Sequence, residues 1–210
     1  MKEINSKKRL AMALSGLKGF EKAKVRVEQY MTDSEIASEI VWYGLYKGDI
    51  DEKVIADYGA GTGILGIGAL LMGARKVYFV ESDSLALETA KENLGKVQSE
   101  HTIGGEAVFL CQDVKKFDKK ADVVLQNPPF GVKEKHADKE FLEKAFETAD
   151  VVYSFHKIES KTFLNRFSKD KNFEITDYFE FDFPLKATME FHRKKIEKIK
   201  VGCWRFERRK

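Results

Sequence analysis

The chain has 210 residues, 43% hydrophobic and 34% charged, with a formal net charge of +3. That length suits one domain with a full core, with or without a small appendage, and the composition excludes a disordered or fibrous class. The start, MKEINSKKRLAMALSGLKGF, is broken by charge and Gly before any long apolar run forms, and no later stretch reaches membrane-spanning length. Cys111 and Cys203 stand far apart, with no CxxC and no Cys/His cluster. A signal peptide, a membrane span, a disulfide scaffold and a metal site are therefore not expected; a cytoplasmic location is. Positive charge gathers between Lys186 and Lys210, which suits either a polyanion or a solvated face.

In chain order, residues 6–18 are predicted to form a short helix. Thr32 followed by Glu35 is a capping-box pattern, and Ile36, Ile40, Val41 and Leu45 continue it at helical spacing to a stop near Lys47-Gly48. Strand and helix then alternate: KVIADYG, a strand, leads to the helix GILGIGALLMGA, and the strand KVYFVES to the helix SLALETAKENLGKV. EAVFLCQD and ADVVLQ are the third and fourth strands, KEFLEKAFETA a helix, DVVYSFH the fifth strand and KTFLNRFSKD a short helix. NFEITDYFEFDFP and KVGCWRFERR read as the last two strands. Short apolar strands separated by helices predict an α/β fold, a seven-stranded, mostly parallel sheet with helices on both faces. The expected organisation is one structural domain, with residues 1–48 as a helical segment packing on a core of 49–210. The aromatics of NFEITDYFEFDFP and KVYFVES suit a sheet edge that needs cover, and both cysteines read as small core residues.

Gly59, Gly61 and Gly63 fall between the first strand and its helix, where glycine permits a tight turn and close approach of backbone to a ligand. Glu81 ends the second strand, where a carboxylate can accept from a ribose diol. Asp113 ends the third, followed by Val114. Each has an ordinary reading as well: a strand-to-helix turn, a strand-end acid, a helix cap. Asp57, beside the turn, would repel a pyrophosphate but suits a cationic amino-acid moiety. The residues thus favour a sulfonium- or amino-acid-bearing nucleoside over a dinucleotide. The fourth strand runs into Asn127-Pro128-Pro129-Phe130.

With these motifs in this order, the sequence resembles a Rossmann-like class I S-adenosylmethionine-dependent methyltransferase, which implies an antiparallel last strand. More closely it resembles the METTL5-like group of adenine-N6 RNA methyltransferases, on the stretches GFEKAKVRVEQYMT, DYGAGTGILGIGALLMGA, DSLALETAKENL, CQDV, NPPFGVK, VVYSFHK and FDFPLKATMEFHRKK. The AGTG of the turn leans toward an archaeal member. The resemblance implies N6-methylation of one adenosine of small-subunit ribosomal RNA, with S-adenosylmethionine as cofactor, S-adenosylhomocysteine as product and no metal. It also implies a small zinc-binding activator protein of the Trm112 type as partner. Carried over, Asp57 and the turn at Gly59, Gly61 and Gly63 hold the methionine part. Glu81 takes the ribose and Asp113 with Val114 the adenine, while Gln29, Tyr30 and Thr32 close over cofactor and target.

An exocyclic amine has its lone pair delocalised into the purine, so methyl transfer needs alignment more than a strong base. Asn127 Oδ1 and the Pro128 carbonyl would accept from the two amino hydrogens, Pro129 would stiffen the turn, and Phe130 would stack on the base. The target must be an unpaired or flipped adenosine of a structured RNA. Lys133, Lys135, Arg193, Lys194 and Lys195 are the candidate phosphate contacts, with His156 as a further RNA contact or a packing residue. The competing readings are a glutamine-N5 protein methyltransferase, a DNA adenine-N6 methyltransferase, and a non-enzymatic ribosome-assembly protein.

Overall fold

The computed structural model describes residues 4–20, 31–129, 137–185 and 197–210. The first elements are α1 (Lys7–Ser15), α2 (Ser34–Lys47), β1 (Val54–Tyr58), α3 (Ile64–Leu71), β2 (Lys76–Glu81), α4 (Ser84–Glu100) and β3 (Glu106–Cys111). There follow β4 (Val123–Gln126), α5 (Ala137–Thr148), β5 (Val151–Lys157), α6 (Lys161–Asp170), β6 (Phe173–Leu185) and β7 (Glu197–Arg208). The strands form one seven-stranded sheet in the order β3-β2-β1-β4-β5-β7-β6. The first five pair in parallel, and β7 runs antiparallel between β5 and β6. This is the expected architecture, including the antiparallel last strand.

Successive side chains of a strand point to opposite faces, so a strand covered on both sides is apolar on both, and β1 is so except at Asp57. β1 shows this directly. Ile55 packs in one cluster with Leu10 and Leu14 of α1, Ile40 and Val41 of α2 and Ile67 of α3. Its neighbours Ala56 and Tyr58 face the other cluster, with Leu142 and Phe146 of α5 and Leu164 of α6. The two N-terminal helices thus bury their apolar stripes in the same core as β1 and α3. Chain direction sets the site: β1, β2 and β3 step outward one way, then β4 returns to the other side of β1. The crevice between the C-terminal ends of β1 and β4 is the topological switch point, where open α/β sheets leave room for a ligand.

The capping-box expectation needs correction. The N-cap of α2 is Asp33, whose side chain accepts from the Glu35 N–H at 2.9 Å, not Thr32. The helix stops as expected, at Gly48 in the left-handed conformation (φ 77°), with its N–H bonded to the Gly44 and Leu45 carbonyls. Of the two strands expected at an edge, β6 is one, whereas β2 lies inside the sheet between β1 and β3. Cys203 is buried as expected. Cys111, at the end of edge strand β3, is exposed.

Away from the switch point, Asp49 joins α2 and β1 to the far half of the sheet. Arg205 of β7 donates to both its oxygens, Nε to Oδ2 at 2.8 Å and Nη2 to Oδ1 at 3.2 Å, and Tyr153 Oη of β5 donates to Oδ2 at 2.6 Å. Arg205 Nη1 is taken up by Thr176 Oγ1 and Glu207 Oε2, both at 2.7 Å. A buried charge pair is stable only when its remaining hydrogen-bonding capacity is also met.

Candidate active site

At the switch point, Asp57, next to last in β1, has only 1% of its surface exposed, and its Oδ2 accepts from the Gly66 N–H of α3 at 2.8 Å. Burial pushes its carboxyl up to about 7; the Gly66 N–H opposes the rise and nearby Glu81 adds to it. After β1 the chain turns through Gly59, Gly61 and Gly63, all at positive φ (63°, 54° and 88°), a region that side-chain-bearing residues rarely adopt. The turn is fastened to β2: the Gly59 and Ala60 N–H groups both donate to the Val80 carbonyl, at 2.9 and 3.1 Å. Glu81, the last residue of β2, accepts from the Gly61 N–H at 2.9 Å through Oε2 and from the Asp83 N–H at 2.8 Å through Oε1. One carboxylate therefore sets the turn and the start of α4 together. Asp113, after β3, caps the short 3-10 turn Val114–Lys116 by accepting from the Lys115 N–H at 2.8 Å, with Val114 buried beneath it.

Across the crevice, Asn127 follows β4. Its Nδ2 donates to Thr32 Oγ1 at 3.0 Å, while its Oδ1 is buried and meets no donor among the described residues. Thr32 is itself 3% exposed. The two sides line a pocket open to solvent, whose walls include Asp57, Gly59, Gly61, Thr32, Asn127 and Phe20. A buried acceptor with no donor costs free energy comparable to a lost hydrogen bond, so an orphan at a pocket wall points to a donor supplied by a ligand.

The structure therefore brings Thr32, Asp57, Gly59, Gly61 and Asn127 to one pocket, with Gly63 at the start of α3, Glu81 at the end of β2, and Asp113 and Val114 in the turn after β3. Pro128 and Pro129 follow Asn127 directly. Gln29, Tyr30, Phe130, Lys133, Lys135, Arg193, Lys194 and Lys195 lie outside the described residues. Of the two readings offered for His156, burial favours packing over an RNA contact: it is 1% exposed. Gln126 Nε2 donates to Ser154 Oγ at 2.8 Å, and Ser154 Oγ shares a hydrogen bond of 2.7 Å with His156 Nε2. His156 Nδ1 faces Asp138 Oδ2 of α5 at 3.7 Å. Burial keeps the imidazole below its ordinary pKa, with Asp138 opposing that shift.

Two residues of the site escaped the sequence reading. Phe20 lines the pocket, and a Cβ at Gly61 would come within 2.9 Å of its ring. Its only signal is an aromatic next to the polar run EKAK. Asn93, 1% exposed on α4, bonds to the backbone of both the glycine turn and the Lys18 segment, and nothing in the sequence marks a polar helix residue for such a role.

Residues 44–128 match the family model described as ribosomal protein L11 methyltransferase (PrmA). Over 95% of its length the chain is 32% identical to rRNA N(6)-adenosine-methyltransferase Mettl5 of Drosophila melanogaster, and it covers 95% of that protein. The crystal structure of a candidate RNA methyltransferase from Pyrococcus horikoshii is 45% identical, with a TM-score of 0.87 over 98% of both chains. Magnesium protoporphyrin IX methyltransferase of Synechocystis, solved with S-adenosylmethionine bound, has a TM-score of 0.66 at 14% identity over the full length of both chains, a likeness of fold alone.

Proposed function

We propose, for a chain that belongs to the METTL5 family of rRNA N6-adenosine methyltransferases, that it methylates N6 of one unpaired or flipped adenosine in small-subunit ribosomal RNA. The observation that carries this reading is Asn127 Oδ1, a buried acceptor without a donor among the described residues, in an amide held at the pocket by Thr32.

S-adenosylmethionine fits the residues present. Asp57 places a buried carboxylate where a cationic methionine moiety would lie, and the glycine turn leaves room for close backbone approach. Glu81 and Asp113 each use part of their carboxylate to fix local backbone, which leaves lone pairs for ribose hydroxyls and for the adenine amino group. The cofactor supplies an activated methyl group on a sulfonium. The chain's own residues do the rest: Asn127 Oδ1 and the Pro128 carbonyl accept from the two amino hydrogens of the target and turn the nitrogen lone pair toward the methyl. Thr32 accepts from the amide nitrogen and so leaves the amide oxygen as the acceptor for the target. Phe130 stacking on the base, and phosphate contacts from Lys133, Lys135, Arg193, Lys194 and Lys195, belong to the same proposal. So do a cytoplasmic site of action and a Trm112-type activator. Among the described residues, no helix is long and apolar enough to cross a membrane.

The likeness to L11 methyltransferases ends at residue 128, so it spans the cofactor side and stops before the rest of the acceptor turn. An assay with labelled S-adenosylmethionine and, in parallel, small-subunit rRNA, a ribosomal protein mixture and duplex DNA tests the reading. N6-methyladenosine in the RNA digest is expected. Label in protein or DNA alone would overturn it.

A further inference from the structure

The pocket has a floor, the glycine turn, and an N-terminal wall, Phe20, that arrive from distant parts of the chain. What holds them in register is α4. Asn93 Oδ1 accepts from the Lys18 N–H at 2.7 Å, and Nδ2 donates to the Lys18 carbonyl at 3.0 Å and to the Thr62 carbonyl at 2.9 Å. One amide thus grips Lys18 by both backbone groups, as a neighbouring strand would, and spends its last proton on the turn. Its neighbours on the same helix extend the grip: Lys96 Nζ donates to the Gly16 carbonyl at 2.6 Å, and Glu92 pairs with Lys18 Nζ at 2.8 Å. Those two are exposed contacts, whereas Asn93 is 1% exposed, so its bonds are the ones water cannot replace. Two residues beyond Lys18, Phe20 rests over Gly61 in the space a Cβ there would fill.

We infer that Asn93 is a positioning residue for the cofactor site: it sets the distance between the Thr62 turn and the Lys18–Phe20 segment and thereby seats Phe20 against the pocket. It touches no reacting atom. The inference rests on the pocket being the S-adenosylmethionine site and adds a determinant of affinity outside the strand ends that hold the cofactor.

A double-mutant cycle on the full chain tests it, with S-adenosylhomocysteine titrated calorimetrically at a temperature where circular dichroism shows every variant folded. Phe20→Ala and Asn93→Ala are each expected to weaken binding about tenfold. The double variant should bind within about twofold of either single one, because residues acting through one contact do not add. In turnover, the Asn93→Ala loss should fall on KM for S-adenosylmethionine more than on kcat. Should Asn93→Ala fail to fold, Asn93→Asp takes its place, keeping the acceptor for the Lys18 N–H and losing both donated bonds. Wild-type affinity in the Asn93 variant, or losses that multiply in the double variant, would overturn the inference. A wild-type chain that does not bind S-adenosylhomocysteine would remove the reading of the pocket, and the inference with it.

Discussion

Two buried polar clusters sit on the same sheet and differ in one respect. Around Asp49, both carboxylate oxygens are taken by Arg205 and Tyr153, and the remaining guanidinium nitrogen by Thr176 and Glu207. Around Asp57, a carboxylate raised to about 7 by burial faces a pocket, and across from it Asn127 Oδ1 has no donor among the described residues. Burying polar groups costs several kcal/mol in either place. A cluster that satisfies itself holds the fold together. One that is left incomplete on a pocket wall is completed by what enters. Between these two clusters the difference is completeness of hydrogen bonding, not burial or charge; Gln126 Oε1, next to Asn127 in the chain, and His156 Nδ1 are likewise without a hydrogen bond among the described residues.

The comparison breaks first at Arg205. Arg205→Ala leaves Asp49 buried without its partner and is expected to lower stability by about 3–5 kcal/mol, read by urea denaturation. Per folded molecule, S-adenosylhomocysteine affinity should be unchanged. If affinity fell with stability, the two clusters would not be separate devices. Asn127→Ala should behave the opposite way. Stability and cofactor affinity stay near wild type, while turnover on RNA falls by about a hundredfold, the scale of losing one preorganised hydrogen-bonding group at a reacting centre.

A pH titration sharpens the same contrast. Asp57 has a carboxyl raised from 3.8 to about 7, so the stability it contributes is present below about pH 4 and lost as pH rises through 7. A cationic cofactor prefers the ionised carboxylate, so affinity should move the other way, rising by up to about tenfold per pH unit on the acid side of 7. Calorimetry in buffers of different ionisation enthalpy should then detect a proton released on binding near pH 6. Other carboxylates, such as Asp138 and Asp177, are held below their ordinary values and slope oppositely, so the informative quantity is wild type minus Asp57→Asn. A flat difference would show that Asp57 is ionised throughout.

What was legible in the sequence follows from what is local. Strand runs, the glycine turn and the strand-end acid Glu81 are set by periodicity and by neighbours along the chain, and these emerge where expected, whereas Asp113 falls two residues past β3 as the cap of a short turn. Meetings across the sheet are not local. That His156 lies inside depends on Gly202 and Trp204 of antiparallel β7 lying beside β5, and that β2 is no edge depends on β3 pairing outside it. Asn93 was invisible for another reason. Its partners are backbone atoms, which every residue carries, so its role left no mark at Lys18 or Thr62.

The smallest effect tests the sharpest misreading. Thr32 and Asp33 are adjacent, and the sequence pattern offered Thr32 as the cap of α2. The structure divides the roles: Asp33 caps the helix, and Thr32 holds the amide of Asn127. Asp33→Ala should therefore cost about 0.5–2 kcal/mol of stability with turnover per folded molecule retained. Thr32→Val preserves shape, leaves the cap intact and removes one hydrogen bond from Asn127, so stability should hold while kcat falls by about three- to tenfold. Thermal melts and initial rates on the two variants would expose a wrong assignment at once: were Thr32 the cap, its valine variant would melt early. With Asp33 as the cap, the losses fall on different observables, because two neighbouring side chains point one into the helix and the other into the site.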